Sequence, residues 1–379
     1  MVLVFVISSI LLSILTDWYI FNVYCRPLPR KRTHFLCWTP SFLTAVSCLS
    51  ILAFPDFMPA SIVLLCVTVP KLMFVLVLFV LRRFRFFRKR PAVSGTVAGL
   101  AGLFLLGTTV YGATEGIRHF EVNDVVLYFD TLPDSFDGYR LVQISDIHSG
   151  SWPENSSALA EAVSIVNAQK ADLVLFTGDI VNATASELLK TMGILGKIKA
   201  ADGVFSVLGN HDYGTYAEWD SAEAEAANFD SLLVREKAMG WRLLDNEHVF
   251  VRRGNDSIAI IGVQNSGEPP FPDYAELDSA LHGTDGVFKV LMSHDPTHWR
   301  REVLPDTDIE LTLSGHTHDM QFSLPGFSPA RYFYPEHSGL YEEGGRMLYV
   351  NAGLGYLLPI RLGAWPEITV ITLRCGPRP

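Results

Sequence analysis

Residues 309–318 read "IELTLSGHTH". The run 309–313 alternates branched or leucine side chains with Glu310 and Thr312, and it reads as a short strand. Ser314 and Gly315 then end the run, and two histidines follow, His316 and His318. Two imidazoles just past a strand end are a natural pair of metal ligands. A polar loop is the plain alternative, and the choice depends on whether the pattern recurs.

It recurs four more times. The strand-like run 139–144 leads into Asp146 and His148, and 173–176 leads into Gly178-Asp179. The run 204–208 leads into Gly209-Asn210-His211-Asp212, and 288–292 leads into Ser293-His294-Asp295. Further strands are expected at 258–263, 347–350 and 368–373, and helices at 157–169, 186–199 and 221–239. Helices alternate with strands early and strands dominate late, which predicts two packed sheets with helices outside them. Ligands distant in sequence converge when each lies beyond the same edge of a sheet.

The candidate ligands are Asp146, His148, Asp179, Asn210, His294, His316 and His318. Seven nitrogen and oxygen donors are too many for one ion and suit two, with a carboxylate between them. Such donors favour Mn, Fe, Zn or Mg over copper or an iron–sulfur cluster. Only Cys375 lies in this half of the chain, so cysteine ligation and an internal disulfide are both excluded here.

The first 114 residues are different. The chain has 379 residues, 49% of them apolar, and a mean hydropathy of +0.24. Residues 1–114 hold eleven Lys or Arg and only two acids, Asp17 and Asp56. Residues 115–379 hold 19 basic and 38 acidic residues, a formal charge of −19, which argues against general nucleic-acid binding. Apolar runs at 2–23, 36–54, 61–81 and 93–113 are each close to the length a bilayer-crossing helix needs. No basic segment precedes the first run, which therefore reads as an uncleaved anchor. Pro70 and Lys71 interrupt the third, and glycines at 95, 99, 102, 107 and 112 stud the fourth, including a Gly95-xxx-Gly99 pattern.

Arg26, Arg30, Lys31 and Arg32 lie between the first two runs, and six basic residues from Arg82 to Arg90 lie between the last two. The loop 55–60 has none. Alternate basic loops place both termini outside the cytoplasm, with anionic lipid headgroups as partners of the clusters. The chain is then a multi-pass membrane protein with an extracytoplasmic polar domain. A miscounted span would turn that domain to the cytoplasm. The expected organisation is a four-helix transmembrane region, 1–114, followed by one domain, 115–379.

The set Asp146-x-His148, Gly178-Asp179, Gly209-Asn210-His211-Asp212, His294 and Gly315-His316-x-His318 closely resembles the calcineurin-like metallophosphoesterase superfamily, and most of all its bacterial membrane-associated branch. The resemblance covers about 139–373, including the tail "NAGLGYLLPIRLGAWPEITVITL". It implies a four-layer α/β/β/α sandwich and a metal-dependent phosphoester hydrolase with two divalent ions. Asp146, His148 and His318 would hold one metal, and Asn210, His294 and His316 the other. Asp179 would bridge them, and a metal-bridging hydroxide would attack phosphorus. His211 would assist the transferring or leaving group as a catalytic residue, with Asp212 orienting it.

Two stretches depart from the branch. Asp319-Met320-Gln321 replaces a common Gly-Gly-Gln, and "GVQN" at 262–265 replaces more acidic residues. Both bear on substrate preference. Membrane anchorage points to a phosphorylated or pyrophosphate-bearing lipid, or another membrane-proximal phosphoester. The rival reading is a membrane-anchored metal-binding or signalling protein without turnover. Among the remaining residues, His298 and Trp299 read as pocket border or core. The aromatic segment 325–346 reads as a lid or membrane-facing rim beside the site, or as simple loop packing, and Asn351 and Arg361 as phosphate contacts or structural groups. Oligomeric state is not written in the sequence.

Overall fold

The computed structural model describes residues 2–26, 31–50 and 58–378. Two compact units emerge, Met1–Glu115 with Leu358–Ile360, and Gly116–Leu357 with Arg361–Pro379.

Among the described residues, three helical stretches are long and apolar enough to cross a membrane: Val6–Cys25, Ala60–Leu81 and Pro91–Arg118. The second expected span is described only in part, as the helix Thr39–Ser50. Its end, the loop residues 55–57 and Arg30 lie outside the described residues. The stretch Ala60–Leu81 passes through a π-helical turn, Leu64–Thr68, just before Pro70. The wider turn relieves the clash and the missing donor that a proline imposes on an α-helix.

Lys71 is not stranded at mid-span. Its Nζ lies 2.8 Å from Asp17 Oδ1 and donates to Ser13 Oγ at 2.7 Å. Asp17 Oδ2 accepts from the Ser41 backbone N–H at 2.9 Å. Thr44 continues the polar seam to Thr68 at 3.0 Å. Charges inside a bilayer persist when they are paired and turned into the bundle, and this pair is both.

The glycines of Pro91–Thr114 act differently from the Gly95-xxx-Gly99 pattern. A side chain at Gly102 would stand 3.0 Å from the Pro70 carbonyl oxygen, and one at Gly95 would stand 2.7 Å from the Tyr24 hydroxyl, whereas Gly99 faces open space. Close approach therefore uses a seven-residue spacing, two helical turns.

Among the described residues, the second unit has twelve strands in two six-stranded sheets. They are β1 Glu121–Phe129, β2 Arg140–Ile144, β3 Leu173–Phe176, β4 Val204–Ser206, β5 Arg242–Leu243, β6 Glu247–Arg253, β7 Asp256–Gly262, β8 Phe288–Met292, β9 Leu311–Ser314, β10 Gly339–Glu343, β11 Arg346–Val350 and β12 Glu367–Cys375. The first sheet runs β1-β12-β2-β3-β4-β5 and the second β10-β11-β9-β8-β7-β6. Strands β2 to β5 are parallel, as are β7, β8, β9 and β11.

The two sheets share one core. Leu141, Leu173, Leu175, Phe205 and Ile371 from the first meet Ile258, Ile260, Val290, Met292, Leu311 and Leu313 from the second. A second core, with Trp299, Val303 and Leu277, covers the other face of the second sheet. Trp299 is therefore core, not pocket border. Ser157–Ala168 begins on its cap Ser156, whose Oγ accepts from the Leu159 N–H, and it buries Leu159, Val163 and Val166. This is the expected mixed α/β sandwich preceded by apolar helices.

One helix breaks up. The expected helix 186–199 is a 3-10 segment, Ala185–Lys190, and a short α-turn, Met192–Leu195. Gly193 and Gly196 weaken its second half. Glu187 also gathers the backbone N–H groups of Asn182, Ala183 and Thr184, which favours a tight start.

Candidate metal centre

Parallel strands β2, β3 and β4 and the second-sheet strands β8 and β9 deliver their following loops to one place. Two clusters form there. Asp146, His148 and His318 make one, and Asp179, His294 and His316 the other, with the ligand atoms of each within 4.8 Å of one another. All six are buried or nearly so.

The backbone is bent to bring them in. Asp146, His148, Asp179, His316 and His318 have φ of 51°, 49°, 62°, 71° and 51°. Left-handed backbone is uncommon outside glycine, and five instances on five candidate ligands mark a functional site. Close approach is also built in. A side chain at Gly209 would collide with Asp179 Oδ1, and one at Gly315 with Asp146 Oδ2.

In the first cluster, His148 Nδ1 donates to the Val181 carbonyl at 3.2 Å, so its Nε2 carries the lone pair. That nitrogen faces His318 Nε2 at 2.9 Å and Asp146 Oδ1 at 3.9 Å. Asp146 Oδ2 accepts from the His316 N–H at 3.0 Å, while Oδ1 is buried without a hydrogen-bond donor and lies 3.2 Å from His318 Nε2. A buried carboxylate oxygen and imidazole nitrogens converging this closely fit a divalent cation. Arg361 Nη2 lies 3.0 Å from His318 Nδ1 behind the cluster.

In the second cluster, His294 Nδ1 donates to the Thr177 carbonyl at 2.7 Å, which turns Nε2 toward Asp179 Oδ2 at 3.1 Å. Asp179 Oδ2 is also 3.8 Å from His148 Nε2, so one oxygen lies between the clusters. Its Oδ1 is held by the His211 N–H at 2.8 Å. Asn210 Oδ1 lies 2.8 Å from His316 Nδ1 and 3.2 Å from His294 Nε2, and its Nδ2 donates to the Tyr216 hydroxyl. His316 Nε2 meets the Tyr334 hydroxyl at 2.9 Å, leaving Nδ1 for ligation. Together these residues fit a dinuclear divalent-metal centre.

Electrostatics follow burial. Burial pushes His148 down to about 3 and His316 down to about 4, so both rings stay neutral and ligating. His294 is the exception. Burial opposes its charge, but the Asp179 carboxylate outweighs it and lifts the ring to about 10. Burial also raises Asp146, to about 6.

His211 stands beside the clusters, edge-on to His148 with ring centres 4.9 Å apart and stacked on Tyr216 at 4.2 Å. Its Nδ1 donates to the Asn182 carbonyl at 2.6 Å. Asp212 does not orient it. The Asp212 carboxylate accepts from the backbone N–H groups of Asp179, Gly209, Ile180 and Val181, at 2.8–3.3 Å. It shapes the loop that carries Asp179, and Asn182 has the orienting role expected of Asp212.

Asn351 and Arg361 are fully buried and structural. Asn351 bonds Thr369 and the Gly353 N–H, and Arg361 donates to the carbonyls of Ala352, Gly355 and Ala364. Asp319 is buried, its carbonyl accepting from Ser328 Oγ, and Gln264 bonds Tyr213 and Asp245. Tyr216 and the Asn182 and Val181 carbonyls are parts of the site that the sequence does not single out. Only aromatic spacing near the Asn-His pair hints at Tyr216.

Residues 139–320 match the family model described as "Calcineurin-like phosphoesterase". Residues 3–117 match "Probable Calcineurin-like phosphoesterase, transmembrane domain". A Bacillus subtilis protein named "Uncharacterized metallophosphoesterase YkuE" is 31% identical over 73% of this chain and 95% of its own length. A Danio rerio "Transmembrane protein with metallophosphoesterase domain" is 32% identical over 76% of this chain and 66% of its own. An Escherichia coli "Phosphodiesterase YaeI" is 25% identical over 74% of this chain and 96% of its own.

Proposed function

Because this chain belongs to the calcineurin-like metallophosphoesterases and is a multi-pass membrane protein with a dinuclear metal centre, we propose that it hydrolyses a phosphorylated or pyrophosphate-bearing lipid at the membrane surface. The observation that carries the catalytic part is the pair of buried Asp–His clusters sharing Asp179 Oδ2. The lipid part rests on anchorage, since a membrane-bound hydrolase meets lipid phosphates at high local concentration.

In this reading Asp146, His148 and His318 would hold one metal and Asn210, His294 and His316 the other, with Asp179 Oδ2 lying between the two clusters. Bound divalent ions supply Lewis acidity and an activated water. Val181 and Thr177 fix the tautomers of His148 and His294 so that Nε2 faces the metals. Tyr334 does the same for His316 through its other nitrogen. Asp212 holds the Asp179 loop. With Nδ1 fixed on Asn182, His211 gives or takes a proton through Nε2, toward the leaving or transferring oxygen.

The test uses the full chain in detergent and in liposomes. Metal-dependent hydrolysis of bis-p-nitrophenyl phosphate, lost in Asp179→Asn, is expected. Phosphate release from phosphatidate or a prenyl pyrophosphate in liposomes should exceed that from soluble monoesters at equal concentration. Equal or slower lipid turnover would remove the lipid assignment and leave the hydrolase.

Loop charges favour an extracytoplasmic catalytic domain. A cytoplasmic domain is favoured by one observation, the Cys25–Cys37 disulfide, which brackets the basic loop expected to face the cytoplasm. Disulfides belong to oxidising compartments.

A further inference from the structure

The stretch after the last candidate ligand has an unusual surface. From Met320 to Pro335 there are sixteen residues with one Arg and no Asp or Glu. The rest of 115–379 holds all 38 acids of the domain, with 346–366 another long stretch free of them. The same stretch exposes Met320, Leu324, Phe327, Tyr332 and Phe333 at 45%, 53%, 41%, 72% and 69%. Apart from Leu357, which adjoins the exposed Leu358, other exposed large apolar residues of the domain, such as Val126, Leu189, Val234 and Tyr274, are scattered singly along the chain. Scattered apolar residues need no explanation, but a cluster does.

The cluster is held in a defined form. Leu324 and Phe327 close a tight turn with reciprocal backbone bonds of 2.8 Å, so both flank its tip, Pro325 and Gly326. Tyr332 and Phe333 stand on a second turn, Pro329–Tyr332, capped by Ser328. At one base, Ser323 N–H bonds the Leu362 carbonyl at 2.8 Å, and Gln321 accepts from the Leu357 N–H at 2.9 Å. At the other, Tyr334 bonds the ligand His316. The apolar tips therefore stand on supports that also hold the metal centre.

We propose that residues 320–333 form an interfacial insertion rim, whose Leu324, Phe327, Tyr332 and Phe333 side chains enter the bilayer in which the chain is anchored. The occupant is identified by three features. Aromatic and leucine tips with an adjoining Arg are the chemistry of headgroup-level insertion. The missing carboxylates remove the repulsion that the rest of this acidic domain would meet at an anionic leaflet. The chain's own spans keep lipid always present. The rim is independent of which phosphoester is cleaved.

The test uses the full chain in phosphatidylcholine–phosphatidylglycerol liposomes. Cys48, Cys66 and Cys375 are replaced by Ser, and a nitroxide is attached at Phe327→Cys or Tyr332→Cys, with Val234→Cys as reference. Metal-dependent turnover of bis-p-nitrophenyl phosphate reports that each labelled chain is folded. At the rim, collisions with oxygen should exceed those with a water-soluble nickel chelate at least threefold relative to Val234→Cys. Equal accessibility at both rim sites and the reference overturns the proposal. Failure of lipid turnover with oxygen-rich rim labels would reject the lipid substrate and keep the rim.

Discussion

At the scale of single residues, the site is a set of lone pairs aimed by backbone carbonyls. Its pH behaviour follows from one pair. His294 is lifted to about 10 by Asp179, so at neutral pH its ring carries two protons without metal. Ligation through Nε2 must expel one. His148 and His316, pushed down to about 3 and about 4, have none to lose. Apparent metal affinity should therefore rise roughly tenfold per pH unit between 7 and 10 and level off above. Titration calorimetry at pH 7.5 in two buffers of different ionisation enthalpy should show about one proton released per His294-bound ion. No release would mean that His294 is neutral before binding. His211 separates catalysis from binding. Its replacement by Asn should lower turnover about 10²- to 10⁴-fold while metal content by mass spectrometry stays full. Asp212→Ala should do the reverse of a local change. Four buried amides lose their acceptor, so the melting temperature and metal content should fall together, by about 2–4 kcal/mol of stability.

At the scale of elements, a polar pair decides how the apolar helices pack. Asp17 and Lys71 are 1% and 8% exposed, and each holds other partners. Removing one charge strands the other. Asp17→Leu and Lys71→Met should each cost about 3–5 kcal/mol, measured by thermal or SDS unfolding in detergent, while the double variant should recover most of the loss. Additive losses would show that the two charges do not interact. This pairing was beyond a linear reading, because its partners are 54 positions apart and a lone Lys71 looks like a defect. The strands leading to ligands were legible, because β2, β3, β8 and β9 are short runs rich in Leu, Val, Ile or Phe that end at polar breaks. Strands β1, β6 and β10 were not. They are edge strands with mixed exposure, so their apolar signal is diluted. The candidate ligands were readable as residue types at strand ends. The role of Asp212 was not, since it depends on four amides assembled by folding, and Asn182 acts through a carbonyl that every residue has.

At the scale of the whole molecule, the question is which side of the membrane the chemistry serves. Positive charge at insertion favours a cytoplasmic position for 26–32 and 82–90 and hence an outward domain. The Cys25–Cys37 bridge pulls the other way. Ten basic residues in two loops set orientation by many additive contributions, whereas a bridge forms after insertion, so the charge rule is the stronger guide. Two exposed positions make the choice measurable, Val234 in the polar domain and Phe84 in the second basic loop, at 66% and 60%. In intact cells an impermeant maleimide should label Val234→Cys directly and Phe84→Cys only after permeabilisation. Labelling in the opposite order would put the metal centre on the cytoplasmic leaflet, in agreement with the Cys25–Cys37 disulfide. Its candidate substrates would then be the phosphorylated lipids made on that face.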